Sequence, residues 1–394
     1  MMSPLVRPLL IDRPQDLASV IDRAARASVV ALDVEGNGLF AYRARLCTVQ
    51  LAWREREHVQ VAVIDTLSVA PTPLAHLLGE EGPPKLLHDL TFDARMLLEA
   101  GIRLGKVRDT SVAAKMLGRK ATGLASLLAA ELGVTVEKEL QQHDWSRRPL
   151  GERELGYLAA DVYWLEALEE RLAREVEALG IRDEVETECA YKLETSLAPS
   201  LDKRPAYARI RGADTLSPLE LAVLRRVVEA REEIAAKWDV PPFKIASNDF
   251  LLELARKRPA SRRDLRNLRG ISGRVMSVAD ALLAAVKQGI DDGEVPEHER
   301  FVRPRLDRAA IAERRERESR LLSWRRAEAA RRGVDEQVVL PGHCLQAIAA
   351  GGAFDEASIA QIPGMGKVRA ERYAKTLAAI ARGDAVLPPT VAVS

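Results

Sequence analysis

The sequence predicts an α/β domain, with helices on the faces of a sheet, followed by two small all-helical domains. Two observations lead to this prediction. Strand-like apolar segments alternate with helix-like segments over the first part of the 394-residue chain. Later, the chain aligns with itself without a gap when residues 228–289 are placed on residues 322–383. A chain of 394 residues is too long for one compact core, so two or three domains are expected.

The predicted elements of the first domain follow in chain order. Strands are predicted at residues 29–35, 45–53, 58–65 and 85–88, the second and third joined as a hairpin through residues 54–57. Helices are predicted at residues 14–27, around residues 73–80, and from a cap at Asp89 or Thr91 to Gly101. From Asp109 onward the pattern is mostly helical.

Each copy of the repeat has the pattern helix, turn, short helix, glycine-containing turn and final helix. Gly270 of the first copy corresponds to Gly364 of the second, and Arg231 corresponds to Arg325. We therefore predict domains at residues 1–198, 206–290 and 306–385.

Composition restricts the class of protein. No apolar run approaches the length of a membrane span, and no secretion signal is evident at the start. The three cysteines are far apart, which is typical of reduced thiols in a cytoplasmic protein. Residues 201–394 carry 35 Lys or Arg and 27 Asp or Glu, leaving 24 and 31 of the total 59 and 58 for the first 200. The second half is therefore the more probable binder of a polyanion.

Carboxylates mark a candidate site. Asp33 and Glu35 end the first predicted strand, and alternation puts both side chains on one face. Such paired oxygen ligands suit Mg²⁺ or Mn²⁺, although a strand that ends in a polar turn gives the same pattern. Asp93 lies early in a helix, where the helix dipole alone favours an acid. Tyr157 and Asp161 lie one helical turn apart, as a surface pair would.

Taken together, these residues resemble the DEDDy group of 3′-to-5′ exonucleases on the ribonuclease H-like fold. The set is Asp-x-Glu at a strand end, an Asp opening a later helix, and Tyr-x-x-x-Asp on a further helix. The preceding segment Asp-Trp-Ser-Arg-Arg-Pro-Leu at residues 144–150 narrows the resemblance to the ribonuclease D family, over roughly residues 8 to 385.

The resemblance implies a mixed sheet and two divalent ions, Mg²⁺ or Mn²⁺. It implies that Asp33, Glu35 and Asp161 hold the first ion, and that Asp33 bridges to a second held with Asp93. Tyr157 would lie near the attacking water and orient it, because a phenol with a pKa near 10 is a poor base at neutral pH. The products would be nucleoside 5′-monophosphates, released from the 3′ end.

Two departures from the family pattern follow the first strand. Val34 replaces the usual threonine between Asp33 and Glu35, and its side chain is expected to face away from the metals. Gly-Asn-Gly-Leu-Phe at residues 36–40 replaces the usual aromatic segment, so Leu39 and Phe40 are expected to contact the terminal nucleotide.

Both copies of the repeat resemble the HRDC domain, a nucleic-acid-binding module found twice in ribonuclease D. Residues 362–367 resemble a helix–hairpin–helix turn, so a phosphate contact near Lys367 is expected. The first copy is dense in arginine, which favours phosphate contacts over the alternative of a merely solvated face. The expected contacts are Arg262, Arg263, Arg266 and Arg269. In contrast, residues 314–320 mix charges at helical spacing and predict an ion-paired helix.

The leading hypothesis is therefore a monomeric, cytoplasmic 3′-to-5′ exoribonuclease that trims RNA such as tRNA precursors. Two alternatives remain. One is an exonuclease of the same chemistry acting on DNA, since no residue pattern here identifies a 2′-hydroxyl reader. The other is a nucleic-acid-binding adaptor with an inert nuclease fold.

Overall fold

The computed structural model describes residues 7–136, 139–199, 202–299, 307–352 and 354–384. The chain divides into two compact units. Unit 1 takes in the chain up to Glu35, residues 46–198 and the chain from residue 306; unit 2 takes in residues 36–45 and 199–305. The second helical copy therefore belongs to the same unit as the sheet, and the segment that follows Glu35 belongs with the first copy.

Unit 1 contains a six-stranded mixed sheet with the order β1-β4-β3-β2-β5-β6. Its strands are β1 (Leu9–Ile11), β2 (Val30–Gly36), β3 (Leu46–Glu55), β4 (His58–Asp65), β5 (Lys85–Leu87) and β6 (Val107–Asp109). The β3–β4 pair is antiparallel, with Glu55 opposite His58, whereas β1 runs parallel to β4. Strands β2, β5 and β6 form parallel pairs in that order. The predicted α/β fold with a mixed sheet is confirmed.

Strands β1 and β6 were absent from the sequence prediction. Each has three residues at an edge of the sheet, too short for an alternating pattern to be recognised. The capping prediction for the helix after β5 is also wrong, because Leu90 precedes its first turn and gives no side-chain cap. The carboxylate of Asp109, from the end of β6, accepts the N–H groups of Asp89 and Leu90 instead, at 3.0 Å each.

In the described part of residues 7–198, eight helices accompany the sheet, along with a 3₁₀ turn at Thr72–Leu74 and a π-helical turn at Leu128–Leu132. They are α1 (Pro14–Ala24), α2 (Ala75–Leu78), α3 (Thr91–Glu99), α4 (Thr110–Met116), α5 (Leu124–Leu127), α6 (Glu152–Tyr163), α7 (Leu165–Ala178) and α8 (Arg182–Leu197). The apolar residues of α1 recur at helical spacing, so Leu17, Val20 and Ala24 are buried together.

The two faces of β2 enter different cores. Val30, Leu32 and Val34 belong to the core that contains the buried residues of α1 and α3. Ala31, on the opposite face, packs with residues of α6 and α7, among them Ala159 and Val162. Because side chains alternate along a strand, the next residues of that face, Asp33 and Glu35, project on the α6 side of the sheet.

Unit 2 is helical in its described part. Its helices are α9 (Pro218–Trp238), α10 (Pro242–Ile245), α11 (Asn248–Lys257), α12 (Arg262–Arg266), α13 (Gly273–Ser277) and α14 (Ala279–Asp292), with 3₁₀ turns at Ala206–Arg209, Ala213–Thr215 and Glu297–Glu299. Helix α9 begins with a capping box formed by Ser217 and Glu220. Its apolar face packs along α14 and α11 around one core.

The second helical copy forms α15 (Arg308–Arg332), α16 (Glu336–Val339), α17 (Gly342–Ala350), α18 (Glu356–Ala360) and α19 (Gly366–Arg382). The arginine shared by the two copies is buried in both, at 8% exposure for Arg231 and 7% for Arg325. Arg231 donates to the Ala246 carbonyl at 3.3 Å, and Arg325 donates to the Glu336 carbonyl at 3.0 Å. In both copies the arginine therefore ties the long first helix to the segment that follows it, although the two acceptor carbonyls lie at different positions of the repeat.

The ion-paired helix predicted at residues 314–320 is confirmed in α15, where Arg317 pairs with Glu313 and Arg320 pairs with Glu316. Arg317 is also buried and donates to the carbonyl of Ala349 at 2.7 Å.

Within unit 1, the second helical copy packs on α8. Arg369 of α19 is 1% exposed and donates to the carbonyls of Val338, Gly364 and Glu184. The buried carboxylate of Glu184 lies 3.4 Å from guanidinium nitrogens of both Arg332 and Arg372. This network fixes α19 against α8.

All three cysteines are buried and reduced. Among the described helices, none combines the length and the apolar character needed to cross a membrane.

Candidate active site

The candidate site lies where β2 ends. Asp33 and Glu35 are half-buried on the α6 side, and Asp161 of α6 approaches them. One carboxylate oxygen from each of the three residues lies within 4.8 Å of the other two. This spacing allows a single cation to contact all three carboxylates. The strand alternation and the helix register thus bring together residues that are 128 positions apart in the sequence.

Asp93 approaches the cluster from the first turn of α3. Its carboxylate is 4% exposed, and Oδ1 accepts the N–H of Val34 at 3.1 Å. The bond holds Asp93 against the residue between Asp33 and Glu35. The Val34 side chain is 2% exposed in the opposite core, as expected from the alternation, so its replacement of threonine leaves the acidic face unchanged.

The electrostatics of the cluster favour a bound cation. Burial raises the pKa of Asp33 to about 7. Burial, followed by repulsion from Asp33, Asp161 and Asp93, raises the pKa of Glu35 to about 9. The pKa values of Asp93 and Asp161 are raised in the same way, by burial and then by Asp33. Clustered carboxylates of this kind need either protons or a cation, and all-oxygen ligands suit a divalent ion. The residues therefore fit a divalent metal site.

Tyr157 lies one turn before Asp161 on α6, and its pKa is raised by burial and then by Asp161, Glu35 and Asp33. The phenol therefore stays protonated across the physiological range and can donate a hydrogen bond. Behind it, the ring of Trp145 lies with its centroid 5.7 Å from that of Tyr157. Trp145 is 1% exposed, so it is a fixed support for the phenol ring.

The segment at residues 144–150 is anchored to the sheet by Arg148. Its guanidinium makes a two-pronged ion pair with Asp65 at the end of β4, at 2.8 and 2.6 Å. The same side chain donates to the carbonyl of Cys47 in β3 at 2.9 Å. The segment therefore connects the β3–β4 hairpin to the support of Tyr157.

A second buried carboxylate, Asp109, organises the turn that leads to Asp93. Besides the N–H groups of Asp89 and Leu90, it accepts from Ser111 N–H at 2.8 Å and from the Lys192 ammonium at 2.7 Å. Burial alone would raise its pKa, but Lys192 and these hydrogen bonds outweigh burial and hold the pKa below its ordinary value. Asp109 is consequently a charged anchor and not a metal ligand candidate.

The four carboxylates and Tyr157 line one cavity of about 700 Å³. The sequence analysis did not identify several other residues of its wall, namely His88, Phe92, Ser111, Lys115, Gln141 and Lys192. Phe92 is 50% exposed and presents an aromatic ring directly before Asp93. The sequence could have indicated Phe92, because it directly precedes the candidate ligand Asp93. No sequence spacing marks Lys115 or Lys192.

The expected nucleic-acid contacts have different surroundings. Arg262, Arg263, Arg266 and Arg269 are all exposed, and Arg262 also makes a two-pronged ion pair with Asp280 at 2.8 and 2.6 Å. In unit 2, Leu39 is 47% exposed, and the Lys244 ammonium lies 4.4 Å from the centroid of the Phe40 ring.

The hairpin turn of the second copy is occupied by protein contacts. A side chain added at Gly364 would meet Tyr191 and His343, and one added at Gly366 would meet Thr187 at 2.7 Å. Tyr191 and Thr187 belong to α8, so this face of the turn is covered by α8. Lys367 points away and is 86% exposed. The phosphate contact expected near Lys367 stays a prediction, and it concerns the part of the turn that α8 leaves uncovered.

Comparisons with known proteins agree with this geometry. A family model described as a 3′-5′ exonuclease matches residues 8–177, and the HRDC domain model matches residues 220–286 and 314–380. The chain is 30% identical to ribonuclease D of Gluconacetobacter diazotrophicus over 303 residues, which cover 74% of this chain and 75% of that protein. It is 32% identical to ribonuclease D of Serratia proteamaculans over 270 residues, or 67% of this chain and 70% of that protein.

Among solved structures, Escherichia coli RNase D superposes with a TM-score of 0.70 at 23% identity, covering 96% of this chain and 99% of that one. This likeness concerns the fold. The fold and the sequence matches together define a 3′-to-5′ exonuclease with two HRDC domains. The chain belongs to the ribonuclease D family and is a hydrolase of the 3′-to-5′ exoribonuclease class.

Proposed function

We propose that this chain removes nucleotides from the 3′ end of RNA by a two-metal hydrolysis at the carboxylate cluster. The observation that supports this most strongly is the convergence of Asp33, Glu35 and Asp161 within 4.8 Å, with Asp93 held beside them through Val34. In the proposal, Asp33, Glu35 and Asp161 hold one divalent ion, and Asp33 and Asp93 hold the other. Mg²⁺ or Mn²⁺ fits these oxygen ligands.

When bound, two divalent ions supply an activated water and stabilise the charge that develops on the scissile phosphate and the leaving oxygen. In this reaction, the water oxygen joins phosphorus and the bond to the 3′ oxygen of the preceding nucleotide breaks. The leaving oxygen gains a proton, and a nucleoside 5′-monophosphate is released. The carboxylates must be ionised for this, which requires the ions to displace the protons that the raised pKa values favour.

Tyr157 is proposed to orient the attacking water. Its phenol remains protonated because its pKa is raised, and its ring is backed by the buried Trp145. A fixed donor beside Asp161 positions a water without exchanging a proton with it. Lys115 lines the same cavity, is exposed, and supplies positive charge for the RNA backbone.

Substrates such as tRNA precursors and a monomeric state are further parts of the proposal. The family resemblance suggests both. The exposed Arg263, Arg266 and Arg269 of unit 2 suit a phosphate backbone and support an RNA substrate. DNA is the competing substrate, because two-metal hydrolysis of a phosphodiester bond does not itself require a 2′-hydroxyl.

The test uses matched RNA and DNA strands of the same sequence, labelled at the 5′ end, with Mg²⁺ or Mn²⁺ and with EDTA. We expect a ladder that shortens from the 3′ end of RNA, nucleoside 5′-monophosphates as products, and no ladder with EDTA. Asp33→Asn should abolish the ladder. Asp22→Asn, an exposed charge loss on α1 at the opposite face of the sheet, is the matched control. Full activity of Asp33→Asn, or cleavage of DNA alone, contradicts the proposal.

A further inference from the structure

Unit 2 exposes an unusual group of apolar side chains. Four large apolar residues in its described part are exposed, namely Leu39 at 47%, Trp238 at 44%, Phe243 at 55% and Ile290 at 42%. Three of the four lie in two short segments, residues 38–42 and 237–244. Single exposed apolar residues are ordinary, but exposed aromatic rings grouped together indicate a binding surface.

The two segments are tied to each other. The N–H of Tyr42 donates to Asp239 Oδ1 at 3.1 Å, and the Lys244 ammonium lies 4.4 Å from the centroid of the Phe40 ring. Trp238 directly precedes Asp239, and Phe243 directly precedes Lys244. Tyr42 also packs against the core of unit 2. The two segments that carry the rings are therefore fixed to each other by a hydrogen bond, a cation–π contact and buried packing.

Cations lie in and next to these two segments. Lys237 and Arg274 are exposed, and Arg274 donates to the carbonyl of Lys244 at 3.3 Å. The acid within the two segments, Asp239, is already engaged by the Tyr42 N–H. A protein partner with many acidic residues would bind the lysines and the arginine, but it would leave the exposed aromatic rings without a contact. Exposed aromatic rings interleaved with cations suit a strand that offers both flat bases and phosphates.

We propose that Trp238 and Phe243, with Phe40 and Leu39, form a stacking platform for the unpaired bases of single-stranded RNA, and that Lys237, Lys244 and Arg274 contact its phosphates. We call these four apolar residues the aromatic platform. The choice of RNA rests on the proposed function. The platform itself is a binding site in unit 2 that performs no chemistry, so it is tested by binding and not by cleavage.

Tryptophan fluorescence gives a direct readout. The chain has five tryptophans, of which Trp53, Trp145 and Trp324 are buried and Trp164 is half-buried. Trp238 is the exposed one, so base stacking on it should quench emission. The full-length chain carrying Asp33→Asn is titrated with an oligouridine of about 12 nucleotides. Concentration-dependent quenching is expected, and adding Trp238→Phe should remove the quenching while binding persists.

Affinity is then measured with a labelled oligouridine. Trp238→Ala and Phe243→Ala should each weaken binding about fivefold or more, whereas Ile290→Ala, exposed in the same unit outside the platform, should leave it unchanged. Circular dichroism and the melting temperature verify that each variant is folded. Binding of an oligouridine that is unaffected by both platform variants overturns the proposal.

Two other results also overturn it. Equal quenching by a fully paired RNA duplex would exclude stacking of unpaired bases. Concentration-dependent self-association that Trp238→Ala abolishes, with RNA affinity unchanged, would assign the platform to a second copy of the chain. The titration does not depend on hydrolysis, so the two proposals can fail separately. If only the nuclease proposal fails, the chain with Asp33 intact shows quenching by RNA but does not shorten it.

Discussion

Replacing Glu35 by glutamine should stabilise the metal-free protein while destroying its site. The carboxylate of Glu35 has a pKa of about 9, against an ordinary value of 4.5, because of burial and then of repulsion from its three acidic neighbours. Between these two pH values the folded chain holds a proton that the unfolded chain has released. The free energy of unfolding therefore falls as the pH rises from about 4.5 toward 9.

The size of the effect follows from the pKa values. Each pH unit above 4.5 lowers the free energy of unfolding by about 1.4 kcal/mol, because the folded chain must keep a proton on Glu35. The largest possible loss at about pH 8 is therefore near 5 kcal/mol. Because Asp33 and Asp161 share the repulsion, we expect Glu35→Gln to raise the free energy of unfolding by about 2–3 kcal/mol at about pH 8. This corresponds to a rise in melting temperature of about 3–6 °C. At about pH 5 the gain should be under about 1 kcal/mol.

The assay is thermal unfolding followed by circular dichroism, with EDTA and then with Mn²⁺. Glu99→Gln, an exposed carboxylate at the end of α3, is the matched control and should change neither melting curve. Adding Mn²⁺ should raise the melting temperature of the unsubstituted chain and raise that of Glu35→Gln by less. The reasoning is refuted if Glu35→Gln melts at or below the unsubstituted chain at about pH 8 in EDTA, or if its gain is the same at about pH 5.

Three further predictions concern the surroundings of the cluster. Tyr157→Phe should lower kcat by about 10- to 100-fold with Mn²⁺ affinity unchanged, measured by single-turnover cleavage and calorimetric titration, because only the orienting hydroxyl is lost. Asp109→Asn should lower the free energy of unfolding by about 2–4 kcal/mol and reduce activity, measured by urea unfolding and RNA cleavage, since it removes the charge of a buried carboxylate that pairs with Lys192 at 2.7 Å and leaves Lys192 paired with Asp89 alone. Glu184→Gln should speed hydrogen exchange in α19, measured by mass spectrometry, because it weakens the contacts to Arg332 and Arg372.

Each of these has a contradicting result. An equal loss of Mn²⁺ affinity in Tyr157→Phe would make the phenol part of the metal site. Unchanged stability in Asp109→Asn would show that the bonds to Asp89 and Leu90 do not depend on the negative charge. If exchange in Glu184→Gln rises equally in α14 of unit 2, the effect is general and not confined to the packing of α19.

The central part of the site was predictable because local periodicity specifies which side chains share a face. The alternation along β2 puts Asp33 and Glu35 on one side, and the helical period of α6 puts Tyr157 and Asp161 on one side. Each of these pairs is written within a few residues of sequence. The role of each residue remains a prediction until the variants are measured, but their convergence required only that α6 pack on that face of the sheet.

The sequence could not identify features that depend on distant partners. Asp109 appears in the sequence as the start of a helical region, yet its carboxylate caps the turn before α3 and pairs with Lys192, 83 residues away. The three-residue edge strands β1 and β6 are also defined by their neighbours and not by their own pattern.

The two helical copies show the same difference between what the sequence determines and what the packing of the whole chain decides. Their common pattern, including the paired positions of Arg231 and Arg325, was readable from the sequence because equivalent cores need equivalent residues at equivalent spacing. The sequence did not determine what surrounds each copy. The glycine turn of the second copy packs on α8 because Gly364 and Gly366 leave room for Tyr191 and Thr187. The first copy instead holds the segment that follows Glu35, through Asp239 and Lys244. Faces are encoded locally, whereas the partner of each face is decided only when the whole chain packs.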